Sequence, residues 1–211
     1  MKSLGLVCML GTLASCFATD ASAQTASQPA HSRLEVGAQA GLFSHSSFDT
    51  TSAGIGGRLS FDVSRWLTVE GEATFFPDDD VSVQSPGLTP GLRIQYPRKR
   101  TEAFFGMKAG VRYDRVGFFA KARPGFSHVS GNGVECLGEV CALALLIRPE
   151  YATEFAFDLG GVLEFYPSRR IAARFDLGDT MIRHTSVAPP CWTEGCTSHN
   201  LSTKMGVGFR F

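Results

Sequence analysis

Beyond its N-terminus the chain has no apolar run approaching the ~20 residues that a membrane-spanning helix requires. A mean hydropathy of +0.02 agrees, so a bundle of membrane helices is excluded. Charge of one sign is also missing: twenty Lys+Arg stand against twenty Asp+Glu. With no basic surplus, nothing favours nucleic acid as a partner. No Walker, Rossmann or H-E-x-x-H pattern occurs, so phosphate-cradling and zinc-peptidase chemistry have no anchor. What is abundant is glycine, with 23, and phenylalanine, with 17. That pairing suits close-packed strands that alternate glycine with aromatic residues. The length of 211 residues fits one domain.

The N-terminus reads as an export signal. Met1-Lys2-Ser3 is a short basic region, residues 4–13 are apolar, and Ala21-Ser22-Ala23 is an A-x-A cleavage site ahead of Gln24. Leu13-Ala14-Ser15-Cys16 also matches a lipobox, which would place a lipid on Cys16. Cleavage between Ala23 and Gln24 is preferred, because Thr19-Asp20 suits ordinary signal peptidase and a barrel needs no lipid anchor. The predicted layout is a signal peptide over 1–23, a polar linker over 24–32 and one folded unit over 33–211. Export through the Sec pathway follows. Four cysteines then remain, as two C-x₄-C pairs, Cys136/Cys141 and Cys191/Cys196. Outside the cytoplasm such local pairs read as two small disulfide loops. Zinc would need reduced thiolates at tighter spacing. No metal or cofactor is expected.

From Arg33 onward, segments of about ten residues alternate with a period of two, the signature of a tilted transmembrane strand. The last is the clearest. Leu201, Thr203, Met205, Val207, Phe209 and Phe211 share one face; Ser202, Lys204, Gly206, Gly208 and Arg210 share the other. Seven earlier segments behave alike, beginning near Leu34, Ile55, Leu67, Glu102, Val116, Glu154 and Ile171. Pro124 suggests a bulge or the end of the fifth strand, and Asp179, out of phase, suggests a bulge or the membrane rim in the seventh.

Charge decides which face meets what. One phase carries the acids Glu35, Asp62, Glu70, Glu72, Glu102, Glu154, Asp158, Glu164 and Asp176, with the bases Arg58, Lys108, Arg112, Lys121, Arg123, Arg174, Lys204 and Arg210. The other phase carries only Asp179. A charge facing lipid at the midplane costs ~2–4 kcal/mol, so a bilayer enforces this one-sidedness. A soluble sandwich or lipocalin-like barrel would bury the apolar phase instead. The connections alternate too: 44–53, 76–100, 129–152 and 182–199 are long, whereas 64–66, 113–115 and 166–170 are short. Long extracellular loops and short periplasmic turns have this asymmetry. Trp66, Tyr113 and Tyr166 are predicted to form a periplasmic aromatic girdle. The fold class is therefore all-β: an eight-stranded antiparallel up-and-down transmembrane barrel.

The chain resembles the small eight-stranded outer-membrane barrels of the OmpA/OmpX type over about residues 33–211. Gly106-Met-Lys-Ala-Gly-Val-Arg112 before a short turn and the ending Gly206-Val-Gly-Phe-Arg-Phe211 carry the resemblance. It implies an outer-membrane location, contact with lipid and lipopolysaccharide, assembly machinery reading the terminal Phe211 strand, and a monomer. It implies no single activity, and a following peptidoglycan-binding domain is expected to be absent.

Candidate chemistry is sparse. His-x-Ser occurs at His45/Ser47, His128/Ser130 and His184/Ser186. A histidine polarising a serine hydroxyl is the core of acyl transfer, and some eight-stranded barrels deacylate lipid A with such a pair. The Asn expected after that serine is Val187 here, and no Glu partner is evident along the chain. Asp78-Asp79-Asp80 offers hard oxygen ligands for a cation, but consecutive loop carboxylates are more commonly just solvated. Arg98-Lys99-Arg100 could meet lipopolysaccharide phosphates. The expectation is a non-enzymatic barrel with an envelope or surface-binding role, not an open porin; a lipid A-modifying enzyme and a narrow ion channel are the alternatives.

Overall fold

The computed structural model describes residues 33–45, 50–77, 79, 81–84, 93–96, 98–131, 135–136, 151–185 and 195–211, with backbone only at 81–84, 93–96 and 135–136. Eleven strands occur among these: β1 Leu34–His45, β2 Thr50–Asp62, β3 Leu67–Phe76, β4 Val81–Gln84, β5 Arg93–Tyr96, β6 Arg98–Arg112, β7 Val116–Gly131, β8 Glu135–Cys136, β9 Ala152–Phe165, β10 Ile171–Arg183 and β11 Thr197–Arg210. Eight of them close a barrel in the order β1-β11-β10-β9-β7-β6-β3-β2. Chain neighbours are barrel neighbours throughout, and β1 seals against β11 from Glu35↔Arg210 to His45↔Asn200. Closure removes every unpaired edge, which a sheet in lipid requires.

The small strands β4, β5 and β8 form a separate three-stranded sheet, drawn from the connections after β3 and after β7. The sequence reading treated both connections as loops. Four- and two-residue strands are too short for a period to show.

Alternation survives in all eight barrel strands, and each charged residue of the inner phase points inward. Leu59, Phe105, Leu163 and Val207 point outward into an exposed apolar belt. Arg123, Lys108, Lys121 and Lys204 lie inside, essentially without solvent exposure. This is the reverse of a soluble β protein, and only a non-aqueous exterior stabilises it.

One local expectation is corrected and another is narrowed. β7 runs through Pro124 in unbroken register with β9, with neither bulge nor strand end. The ring has no N–H to give, and the matching ladder positions on β6, Phe105 and Gly106, have no register partner on β7. β10 keeps one register past Asp179, so no bulge forms there either. Its outward carboxylate is met by His199 Nδ1 at 2.6 Å and the Asn200 backbone N–H at 3.1 Å, which fits the rim.

The strands also run further toward the long connections than the apolar pattern suggested, with 12 to 16 residues in β1, β6, β7 and β9. Hydrogen bonding continues where the outer face no longer has to be greasy.

Candidate functional site at the loop end of the barrel

The middle of the barrel is filled by ions. Arg123 Nη1 donates to Glu70 Oε1 at 2.8 Å and Glu72 Oε2 at 2.7 Å, while its Nε donates to Asp158 at 2.9 Å. Arg174 donates to both Glu70 oxygens, at 2.6 and 2.9 Å, and to Asp176. Lys108 meets Glu164, Lys204 meets Glu72 and Lys121 meets Asp158. Gly178 makes room for the last pair: a Cβ there would lie 3.0 Å from Asp158 Oδ1 and 3.2 Å from Lys121 Cε. Such charges are tolerable in a dry interior only when each has partners.

At the short-turn end Asp62 accepts from Arg112 at 2.7 Å and Arg210 at 2.8 Å, and Arg58 donates to Glu35 at 2.7 Å. Tyr166 belongs to this group. Its hydroxyl donates to Glu164 at 2.5 Å and accepts from Arg112 Nε at 3.1 Å. Burial and the neighbouring Glu164 carboxylate keep the phenol protonated well above its ordinary range. The girdle expectation is thus corrected: Trp66 and Tyr113 are exposed, but Tyr166 turns inward. The signal was available, since residue 166 continues the inner phase of Asp158 and Glu164.

The long-connection end is chemically different. It carries the four described histidines, His45, His128, His184 and His199, above an apolar layer of Phe43, Phe76, Phe104, Ala156 and Ile182. One group gathers on Asp79. Its Oδ1 accepts from Ser52 Oγ at 2.7 Å and lies 2.7 Å from His45 Nε2; its Oδ2 accepts from Arg98 at 3.2 Å and Arg100 Nη2 at 3.0 Å. The backbone adds a bond from Asp79 N–H to the Arg98 carbonyl at 2.8 Å. Burial opposes ionisation of Asp79, yet the His45 hydrogen bond and the Arg100 charge outweigh it and hold the carboxyl well below its usual value. A loop carboxylate is therefore clamped to β1, β2 and β6. Asp79, a candidate cation ligand, and Arg98 and Arg100, candidates for a phosphate contact, pair with each other instead. Asp78 and Asp80 lie outside the described residues, and of the basic triplet Lys99 alone is exposed.

A second group forms across the mouth. His184 Nδ1 lies 2.8 Å from Glu154 Oε1, and its Nε2 lies 2.9 Å from Ser198 Oγ. Asn200 Nδ2 donates to Ser198 Oγ and to the Thr180 carbonyl, each at 3.1 Å. The backbone N–H of His184 donates to the carbonyl of Cys196 at 2.9 Å, which fixes where the imidazole hangs. Of the candidate His-x-Ser pairs, one, His128/Ser130, lies wholly among the described residues, and no hydrogen bond joins it there. His128 meets Thr153 at 2.8 Å instead of Ser130, and Ser47 and Ser186 lie outside the description. His184 does find a serine and a glutamate, but they come from β11 and β9, 14 and 30 residues away. Sequence spacing could not have paired them.

Cys196 is disulfide-bonded. Cys191 and Cys141 lie outside the described residues, Cys136 is described by backbone alone, and Ala23 and Gln24 also lie outside. The terminal Phe211 donates its backbone N–H to the Leu34 carbonyl at 2.9 Å and packs its ring edge-on to Phe209 at 5.0 Å.

The family model of the outer membrane protein beta-barrel domain matches residues 11–211. The chain belongs to that family. Membership points to the bacterial outer membrane, with the long connections extracellular and the short turns periplasmic. Solved structures similar to it include the attachment invasion locus protein Ail of Yersinia pestis in complex with the heparin analogue sucrose octasulfate. That match is 12% identical over 85% of this chain and 97% of Ail, with a TM-score of 0.49. The N-terminal β-barrel domain of Pseudomonas aeruginosa OprF matches at 11% identity over 84% of this chain and 97% of that one, with a TM-score of 0.47. Neisserial surface protein A matches at 12% identity over 84% and 97%, with a TM-score of 0.46. No curated protein matches the chain.

Proposed function

We propose that the protein is a closed outer-membrane barrel that works through what its extracellular ends contact, as an envelope-stabilising or surface-binding component, and not as a pore. The observation that supports this is the ion-filled interior. Arg123, Glu70, Glu72, Asp158 and Arg174 are buried and mutually paired across the barrel axis. An eight-stranded barrel is just wide enough for such side chains to fill, and breaking the network to pass an ion would strand buried charges. Neither role calls for catalysis.

Export by the Sec pathway with cleavage between Ala23 and Gln24, assembly directed by the Phe211 strand, and a monomeric state complete the proposal. The barrel wall contacts lipid; lipopolysaccharide is the first ligand to test at the extracellular ends. Planar-bilayer recording of the purified barrel is expected to give no stepwise conductance, with lipopolysaccharide binding measured on the same preparation. Steady unitary currents would replace this reading with a channel. Normal tolerance of detergent in a strain lacking the protein, together with no binding to any envelope component, would remove the envelope role.

A further inference from the structure

An envelope role leaves the Glu154–His184–Ser198 group unused. Its three side chains come from the extracellular ends of separate elements. Glu154 lies on the inner phase of β9, His184 directly follows β10, and Ser198 lies on the inner phase of β11. The two ring nitrogens are divided between a carboxylate and a hydroxyl, at 2.8 and 2.9 Å. That division has a chemical consequence. With Glu154 accepting from Nδ1–H, the neutral imidazole leaves Nε2 free to accept the Ser198 proton, and the carboxylate then stabilises the imidazolium.

The other histidine clusters lack this order. Ser52 and His45 both bind Asp79 Oδ1, so the Ser52 hydroxyl is turned to the carboxylate and not to the imidazole. His128 faces Thr153 on an exposed surface, with no carboxylate hydrogen-bonded to it among the described residues. Among the described residues, only at Ser198 do hydroxyl, imidazole and carboxylate fall in line. Asn200 Nδ2, tied to the Thr180 carbonyl, also donates to Ser198 Oγ at 3.1 Å and so fixes where the hydroxyl sits.

The geometry points to an acyl-transfer site, with Ser198 the nucleophile, His184 the general base and Glu154 the positioning residue. Ser198 Oγ attacks the carbonyl carbon of a carboxylic ester while its proton passes to His184 Nε2. The tetrahedral intermediate collapses, the ester C–O bond breaks, and the leaving alcohol takes the proton from His184. Water then attacks the acyl-serine, giving a proton to His184 that returns to Ser198 Oγ as the carboxylic acid departs.

The substrate class follows from placement. The group sits on the inner phase above the apolar layer that includes Ala156 and Ile182, both sealed from solvent. The lipid-facing wall therefore gives no route in. An ester must be presented from the extracellular aqueous side, which favours short-chain or dispersed esters over acyl chains lying in the leaflet.

The test uses the full chain folded in detergent micelles, treated with a fluorophosphonate probe and then with p-nitrophenyl butyrate. Folding is checked throughout by heat-modifiable gel mobility. Phosphonylation is expected at Ser198, mapped by peptide mass, and absent in Ser198→Ala. A general base contributes on the order of 10²-fold or more, so His184→Ala should lower the labelling rate by at least that factor. In Glu154→Gln the acid limb of the pH–rate profile should move to lower pH, because the carboxylate that favours imidazolium is gone. A role confined to tying strand ends together would not produce that shift. An unlabelled Ser198 in a folded barrel, or labelling that is equally fast in folded His184→Ala, overturns the proposal. Should His184→Ala fail to fold, Glu154→Gln and Ser198→Ala decide alone: a pH profile unchanged by the first, or labelling retained by the second, overturns it equally.

Discussion

The two halves of the barrel interior are built from different chemistry. From the midplane to the periplasmic turns, guanidinium and ammonium groups meet carboxylates directly, as Arg123 does with Glu70, Glu72 and Asp158, and Arg112 with Asp62. Toward the extracellular end the acids Asp79 and Glu154 are met by imidazoles, with the Ser52 hydroxyl and the guanidinium groups of Arg98 and Arg100 also on Asp79, above a layer of buried phenylalanines. Permanent charges closed over by their partners hold a shape and do little else. Imidazoles beside hydroxyls move protons near neutral pH. The lower half is a lock, and whatever chemistry the protein performs belongs to the upper half.

The largest effect should come from breaking the lock. Arg123→Ala takes one partner from each of Glu70, Glu72 and Asp158 and leaves a gap in a dry interior, and removing one partner of a buried ion network costs about 3–5 kcal/mol. Urea unfolding in micelles or liposomes is expected to show a barrel that folds poorly or not at all. A somewhat smaller loss is expected outside: Leu163→Arg on the lipid face should cost ~2–4 kcal/mol in bilayers. If detergent and bilayer preparations of Leu163→Arg were equally stable, the membrane assignment of that face would fail.

At the upper half the expected effects are local. Asp79→Ala releases the segment that β1, β2 and β6 clamp, so proteolysis within residues 77–97 should rise about tenfold while the barrel stays folded. Acid should not mimic the mutation at moderate pH. The Asp79 carboxyl is held below its ordinary value. Its contribution is therefore complete above about pH 4, the ordinary unfolded value, and fades only as pH falls through the lower folded one. Cleavage unchanged between pH 7 and pH 5 is the expected result, and a sharp rise in that window would refute the clamp.

The smallest effect concerns the cysteines. Pairing of Cys191 with Cys196 and of Cys136 with Cys141 closes very short loops, worth roughly 2 kcal/mol each by the loop-entropy argument. Reduction should leave the barrel intact, and mass mapping of non-reduced peptides should return those two pairs. Because the carbonyl of Cys196 accepts from His184 N–H, reduction should slow labelling of Ser198 more than it lowers stability.

Much of this molecule could be read from the chain before folding. In a strand the side-chain period is two, so the face of each residue in the eight barrel strands followed once those strands were recognised. One-sided charge then said which face meets lipid. The same rule would have turned Tyr166 inward had it been applied one residue past the strand. Strand length was less readable, because the ladders of β6 and β7 continue beyond the apolar belt.

What the sequence by itself determined is therefore the all-β barrel, its inside and outside, and which of its ends carries long loops. Only the tertiary structure decided which ions pair, that Asp79 returns to β1, β2 and β6, and that Glu154, His184 and Ser198 meet. The physical reason is that periodicity is a property of one strand. Pairing across a barrel depends on closure and on the register of non-adjacent strands, which brings side chains up to 148 residues apart, such as Asp62 and Arg210, within hydrogen-bond distance.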